Sequence, residues 1–118
     1  MSEHVIYVDR FTLREGKLEA FKSYATEMAE FVEKNEPEVL SFNYYEDEDG
    51  AGGTAVFVFS DAEALDVHLD LASSRFQEGY ELLSTTEIEV LGRPSEQATE
   101  LAKSFGATLK TKLAGFNR

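Results

Sequence analysis

Apolar residues along the chain follow two periods, one of two residues and one of three to four. From His4 to Phe11, Val5, Tyr7 and Phe11 share one parity and Ile6 and Val8 the other, which predicts a strand apolar on both faces. Thr12-Leu13-Arg14-Glu15 then has capping-box spacing, in which the threonine accepts from the amide three residues on and the glutamate reaches back. Leu18, Phe21, Ala25, Met28 and Phe31 or Val32 follow at helical steps, so a helix is expected to open at Thr12 and to end near Asn35, before Pro37.

Val39 to Glu46 predicts a second strand, with Leu40, Phe42 and Tyr44 facing one way and Val39, Ser41, Asn43 and Tyr45 the other. The acidic, glycine-rich run Asp47 to Gly53 reads as a turn, and Thr54 to Phe59 as a third strand. Ser60-Asp61-Ala62-Glu63 repeats the capping logic before a helix whose buried stripe is Leu65, Leu69, Ala72 and Phe76. A fourth strand is expected from about Thr86 to Leu91. The order β-α-β-β-α-β predicts an α+β, ferredoxin-like domain: a four-stranded antiparallel sheet with two helices on one face. In Val56-Phe57-Val58-Phe59 and in the first two strands both parities are apolar or aromatic, whereas a half-exposed sheet alternates with polar residues. The uncovered face is therefore expected to meet a second subunit, as a homodimer through the sheet.

Charge divides the chain. Residues 1–93 carry 7 basic and 21 acidic side chains, net −14, and residues 94–118 carry 4 and 2, net +2. The first segment is read as the ferredoxin-like domain and the second as a C-terminal extension. Pro94 and Ser95 suit a helix start, Leu101 and Phe105 give it an apolar side, and Gly106 can stop it. Beyond it lie Lys110, Lys112 and Arg118 with Leu109, Leu113 and Phe116, a basic segment expected to pack on its own barrel or on the partner subunit, Leu113 and Phe116 serving as anchors. The competing reading is a mobile tail.

Composition narrows the function classes. With 118 residues, 42% of them hydrophobic, nine Phe and five Tyr, the chain is expected to form one folded domain. A net charge of −12 argues against nucleic acid and anionic membranes, whose binding relies on Lys and Arg. The absence of cysteine excludes disulfides, iron–sulfur clusters, thiolate zinc sites and Cys nucleophiles. The acidic run Glu46 to Gly50 lacks the EF-hand register, and Gly50-Ala51-Gly52-Gly53 precedes a strand and not a helix, so no phosphate loop is expected. No metal, flavin or nucleotide cofactor is expected. No apolar run approaches the roughly 18 to 20 residues that span a bilayer, and MSEHVIYVDR lacks a signal-peptide pattern, so the expected location is cytoplasmic.

Two features carry candidate chemistry. His68 lies three residues after Leu65 and four before Ala72, at the edge of the buried stripe, where a histidine can exchange a proton with a ligand. A hydrogen-bonded structural histidine is the alternative. Tyr7, Tyr24, Tyr44, Tyr45, Phe57 and Phe59 would enclose an aromatic cavity with Asp9 and Asn43 as its polar groups, a composition that suits a small hydrophobic or aromatic ligand. Plain core packing competes with that reading.

The strand leading to Thr12–Glu15, the strand FNYYED, the run VFVFSDAEALDVHL with its helix-borne His68, and the following SSRF together resemble the antibiotic biosynthesis monooxygenase (ABM) family of small dimeric α/β barrels, over roughly residues 4–92. The resemblance implies a cofactor-independent monooxygenase acting on an aromatic or quinol-like substrate, with His68 matching the family's helix histidine as proton acceptor. Asp9 or a tyrosine could take the proton instead, since burial in the cavity would raise a carboxyl's pKa. Haem-degrading relatives carry an asparagine, a tryptophan and a haem-ligating histidine where this chain has Asp9, Phe59 and Tyr80, which disfavours haem degradation. A non-catalytic ligand-binding dimeric barrel is the alternative. The tail ending LAGFNR looks like an extension found in a subset of the family.

Overall fold

In the computed structural model, which describes residues 3–118, five strands and four α-helices follow one another as β1 (Val5–Leu13), α1 (Leu18–Asn35), β2 (Val39–Glu46), β3 (Gly52–Phe59), α2 (Ala62–Ala72), α3 (Phe76–Tyr80), β4 (Leu83–Leu91), α4 (Glu96–Ser104) and β5 (Thr108–Lys110). The sheet order is β2-β3-β1-β4-β5. The first four strands pair antiparallel, as the α+β ferredoxin-like expectation requires, and β5 adds a short parallel edge to β4.

Side-chain alternation assigns the two faces. On β1, Val5, Asp9, Phe11 and Leu13 are buried, while Arg10 and Thr12 are exposed. On β3, Ala55, Phe57 and Phe59 are buried, and Thr54, Val56 and Val58 only partly so. The buried parity packs against α1, which contributes Phe21, Ala25, Met28 and Val32 from one stripe, and against α2, which contributes Ala64, Leu65, His68 and Ala72. The other face is open and has an apolar centre: Ile6 lies opposite Val58 and Leu91, and Val8 opposite Val56.

Several boundaries differ from the sequence reading for physical reasons. Thr12 does not open a helix, because it pairs with Gly52 and Thr85 in the sheet and Leu13 N–H donates to Ala51 O. α1 begins at Leu18, with Lys17 before it and no side-chain cap. The cap of α2 is Asp61, whose carboxylate accepts from the Ala64 amide at 2.9 Å. The 3₁₀ turn Ser73–Arg75 and α3 were not expected, and β4 starts three residues early, at Leu83.

The extension forms α4 as expected. Ser95 accepts from the Ala98 amide, and the chain leaves the helix through Gly106 at φ +80°. β5 is held by the Gly92 N–H to Lys110 O bond and by Lys110 Nζ, 2.6 Å from Glu89 Oε2. Within the single chain Leu113 and Phe116 are 99% and 74% exposed, and the extension's apolar contacts come from Ala98, Ala102, Ala107 and Leu109. No helix among the described residues is long and apolar enough to cross a membrane.

Candidate functional site

Cross-strand register builds the floor of the site. Phe42, Phe57 and Tyr7 stand side by side on β2, β3 and β1, directly paired, and stack nearly parallel: 3.7 Å between the first two ring centroids and 5.3 Å between the second two. The next inward-facing row is Tyr44, Ala55, Asp9 and Ile88. The methyl group of Ala55 between two larger side chains leaves open space above it. That space is part of a cavity of about 120 Å³ between sheet and helices, a volume near the ~150 Å³ of an apolar cavity known to hold one benzene-sized ring.

Asp9 is the carboxyl in this cavity, and it is buried. Burial pushes its pKa up from the ordinary 3.8, against the opposing effect of hydrogen bonds from the Thr86 hydroxyl, the Glu87 backbone and Tyr7. Four phenols share the cavity: Tyr7, Tyr24, Tyr44 and Tyr80. Burial raises the pKa of all four, Tyr24 to about 12, so each stays protonated and can donate a hydrogen bond near neutrality. Tyr7 is within hydrogen-bonding reach of both Asp9 and Tyr80. Tyr24 in turn packs flat on Gly79, where a Cβ would lie 2.5 Å from its ring.

His68 also lines the cavity, ringed by Phe42, Phe59 and Phe76 at 5.4 to 5.8 Å between centroids. Its Nδ1 lies 2.8 Å from Glu36 Oε1. Of the residues expected at the site, Tyr7, Asp9, Tyr24, Tyr44, Phe57, Phe59 and His68 therefore meet around one cavity. Asn43 and Tyr45 do not. Both are exposed, Tyr45 at 57%, because strand alternation turns them to the open face of the sheet, opposite Phe42 and Tyr44.

Other lining residues were not anticipated: Phe42, Tyr80 as a donor, and a wall from the extension made by Leu101, Ala102 and Phe105; nor was Glu36, which stands behind His68 without lining the cavity. Phe105 stacks on Tyr80 at 5.7 Å. The apolar side of α4, visible as Leu101 and Phe105, was the signal that this helix covers something. No three His, Asp or Glu side chains come together among the described residues in a way that could hold a metal ion. Chemically, the arrangement can enclose a small ring, donate hydrogen bonds to its oxygen atoms and take up a proton.

Solved structures with the same architecture include SnoaB, a cofactor-independent oxygenase from Streptomyces nogalater, at TM-score 0.67 and 21% identity over 80% of this chain and 96% of that one. A protein of Bacteroides thetaiotaomicron named after the antibiotic biosynthesis monooxygenases matches at TM-score 0.63 and 19% identity, over 73% and 85%. This chain has the ABM fold. MupZ from Pseudomonas fluorescens shares that architecture along nearly the full length, at TM-score 0.80 and 28% identity over 99% of this chain and 96% of its own. The match to MupZ thus takes in the extension that walls the ABM-fold cavity here, whereas the match to SnoaB leaves out a share of the chain about as large as that extension. No protein-family model matches the sequence, and neither does any curated protein.

Proposed function

We propose that this protein is a cofactor-independent monooxygenase that takes a proton from a small aromatic or quinol-like substrate held in the cavity. The observation that carries the reading is the buried Asp9 carboxyl, set among four protonated phenols in a cavity lined, apart from these and His68, by apolar groups. A carboxyl whose pKa is raised by burial is a stronger base when ionised, and the phenols can stabilise the oxyanion it creates. An ionised ring is electron-rich enough to reduce dioxygen itself. The net change is balanced when a ring CH₂ and one O₂ become a carbonyl and water. His68 is the second proton acceptor of this reading. The likeness to SnoaB supports the oxygenase assignment at the level of fold.

A second reading has its own support. The extension contributes one wall of the cavity, and the match to MupZ, which covers 99% of this chain, takes it in. A different wall selects a different substrate, and the same Asp9 and tyrosines could move protons without dioxygen, in an isomerisation or in the addition or loss of water. A binding module without turnover is the third outcome.

The deciding experiment offers anthrones, naphthols and hydroquinones to the protein with an oxygen electrode, in air and under argon. Oxygen uptake lost in Asp9→Asn supports the oxygenase. Turnover that persists under argon favours proton transfer alone, and binding without either would leave a ligand carrier. We also infer a homodimer through the open sheet face, where Ile6, Val8, Val56 and Val58 form an apolar patch that a second copy would cover. The cysteine-free chain suits the cytoplasm.

A further inference from the structure

A buried pair of titratable groups stands apart from the Asp9 cluster. Glu36 follows the last residue of α1, and its backbone is fixed on both sides: its N–H donates to Val32 O at 2.9 Å and its carbonyl accepts from Val39 N–H at 3.1 Å. Pro37 forbids the helix from continuing. The side chain therefore points into the protein, where it is 3% exposed and meets His68, 5% exposed, on α2.

Packing alone gives little reason for a carboxylate here. One oxygen of Glu36 pairs with His68 Nδ1, and the other, Oε2, is buried with no hydrogen-bond partner among the described residues. Native structures satisfy nearly all such atoms, and each exception calls for an explanation. His68 is clamped by aromatic rings from β2, β3 and α3, so its orientation is fixed and Nδ1 cannot turn to another partner. With Glu36 as a carboxylate its oxygen can only accept, and the hydrogen between the two groups then sits on Nδ1. In the neutral ring that leaves Nε2 unprotonated, with its lone pair available.

We infer that Glu36 is a positioning residue, which holds His68 in the Nδ1–H tautomer and so presents Nε2 to the cavity as a proton acceptor for the substrate's hydroxyl group. This rests on the proposed function for its substrate but not for its geometry. It gives the cavity two proton-accepting sites: Asp9 on the sheet, backed by Tyr7 and Thr86, and His68 on the helix layer, backed by Glu36. A histidine oriented by a buried carboxylate is the arrangement by which several hydrolases fix a general base.

The test reads the tautomer directly, in the full chain without substrate. Long-range ¹H–¹⁵N correlation on ¹⁵N-histidine-labelled protein is expected to show His68 protonated at Nδ1 and bare at Nε2. Glu36→Gln, whose amide can accept from or donate to the ring, is expected to turn this into a mixture of tautomers. Phenol, used as the probe, is expected to shift the Nε2 resonance of the wild type. A ring protonated at Nε2 in the wild type overturns the proposal without need of any variant. An unchanged tautomer in a folded Glu36→Gln protein overturns the role of Glu36, and an Nε2 resonance indifferent to saturating phenol overturns its placement in the cavity. None of these readings depends on turnover, so they stand apart from the oxygen-uptake assay.

Discussion

Ala55 lies directly opposite Asp9 across the β1–β3 ladder, and directly opposite Tyr44 across β2–β3. The smallest side chain of that row thus separates the cavity's carboxyl from one of its phenols, and the room it leaves is where a ligand ring can sit. Ala55→Leu would place a branched side chain in that room. Overpacking of this kind costs about 1–3 kcal/mol, and ligand affinity is expected to fall well beyond what that loss of stability explains. Binding measured by tyrosine fluorescence alongside a thermal melt checks both. Wild-type affinity in Ala55→Leu would mean that the ligand binds elsewhere.

The extent to which this site could be read from sequence follows from how local each signal was. Ser95 and Gly106 bound α4 because a side-chain cap and a positive φ are decided within a few residues. Thr12–Glu15 had the same local form and failed, since the sheet holds Thr12 between two strands and the turn through Gly16, at φ +78°, delays the helix. The facing of β2 was ambiguous because both parities carry aromatics. Only its pairing with β3, where the register shifts between Val39 and Ser41, turns Phe42 and Tyr44 inward and Asn43 and Tyr45 outward. Glu36 lies in a polar run, KNEPE, that reads as surface, and nothing short of the tertiary structure places it beside His68.

The open face gives a prediction about assembly. Val8 and Val56 are directly paired at its centre, flanked by Ile6 and Val58. A stable interface there should bury upwards of about 1,000 Å². Replacing both valines by lysine would set like charges side by side in each copy and again across the interface. The double variant Val8→Lys, Val56→Lys is expected to sediment as a monomer while the wild type sediments as a dimer. A wild type already monomeric at micromolar concentration would refute the proposed dimer.

The extension is expected to divide into a part that matters and a part that does not. Residues 111–118 follow the last strand, and Leu113 is 99% exposed, so a chain ending at Lys110 should keep its stability to within about 0.5 kcal/mol. A chain ending at Arg93 loses β5, the Lys110–Glu89 ion pair and the wall formed by Leu101, Ala102 and Phe105, and should melt at a lower temperature and bind ligand poorly. Amide exchange should be fast beyond Lys110 and slower at Thr108–Lys110, where the strand is paired. Equal loss of stability in the two truncations would show that the terminal segment has a docking site after all.

Asp9 should trade stability for function, and the sign can be worked out. Burial raises its pKa in the folded protein above the ordinary 3.8, so between 3.8 and the raised value the folded state binds more protons than the unfolded one. Stability contributed by this group is then fully present below the unfolded pKa and is lost as pH rises through the folded value, where the carboxyl must ionise in its apolar surroundings. Asp9→Asn keeps the shape and removes that cost. The variant is expected to melt higher than the wild type at pH 7, with the difference shrinking as the pH is lowered toward 4. Turnover, if Asp9 is the base, should fall by about 10²–10⁴ in the same variant, and in the wild type it should rise with pH through the raised pKa and not through 3.8. Melting curves of the two proteins across that range decide the electrostatic part without any substrate. A variant less stable than the wild type at neutral pH would show that the hydrogen bonds from Thr86, Glu87 and Tyr7 outweigh the burial of the charge.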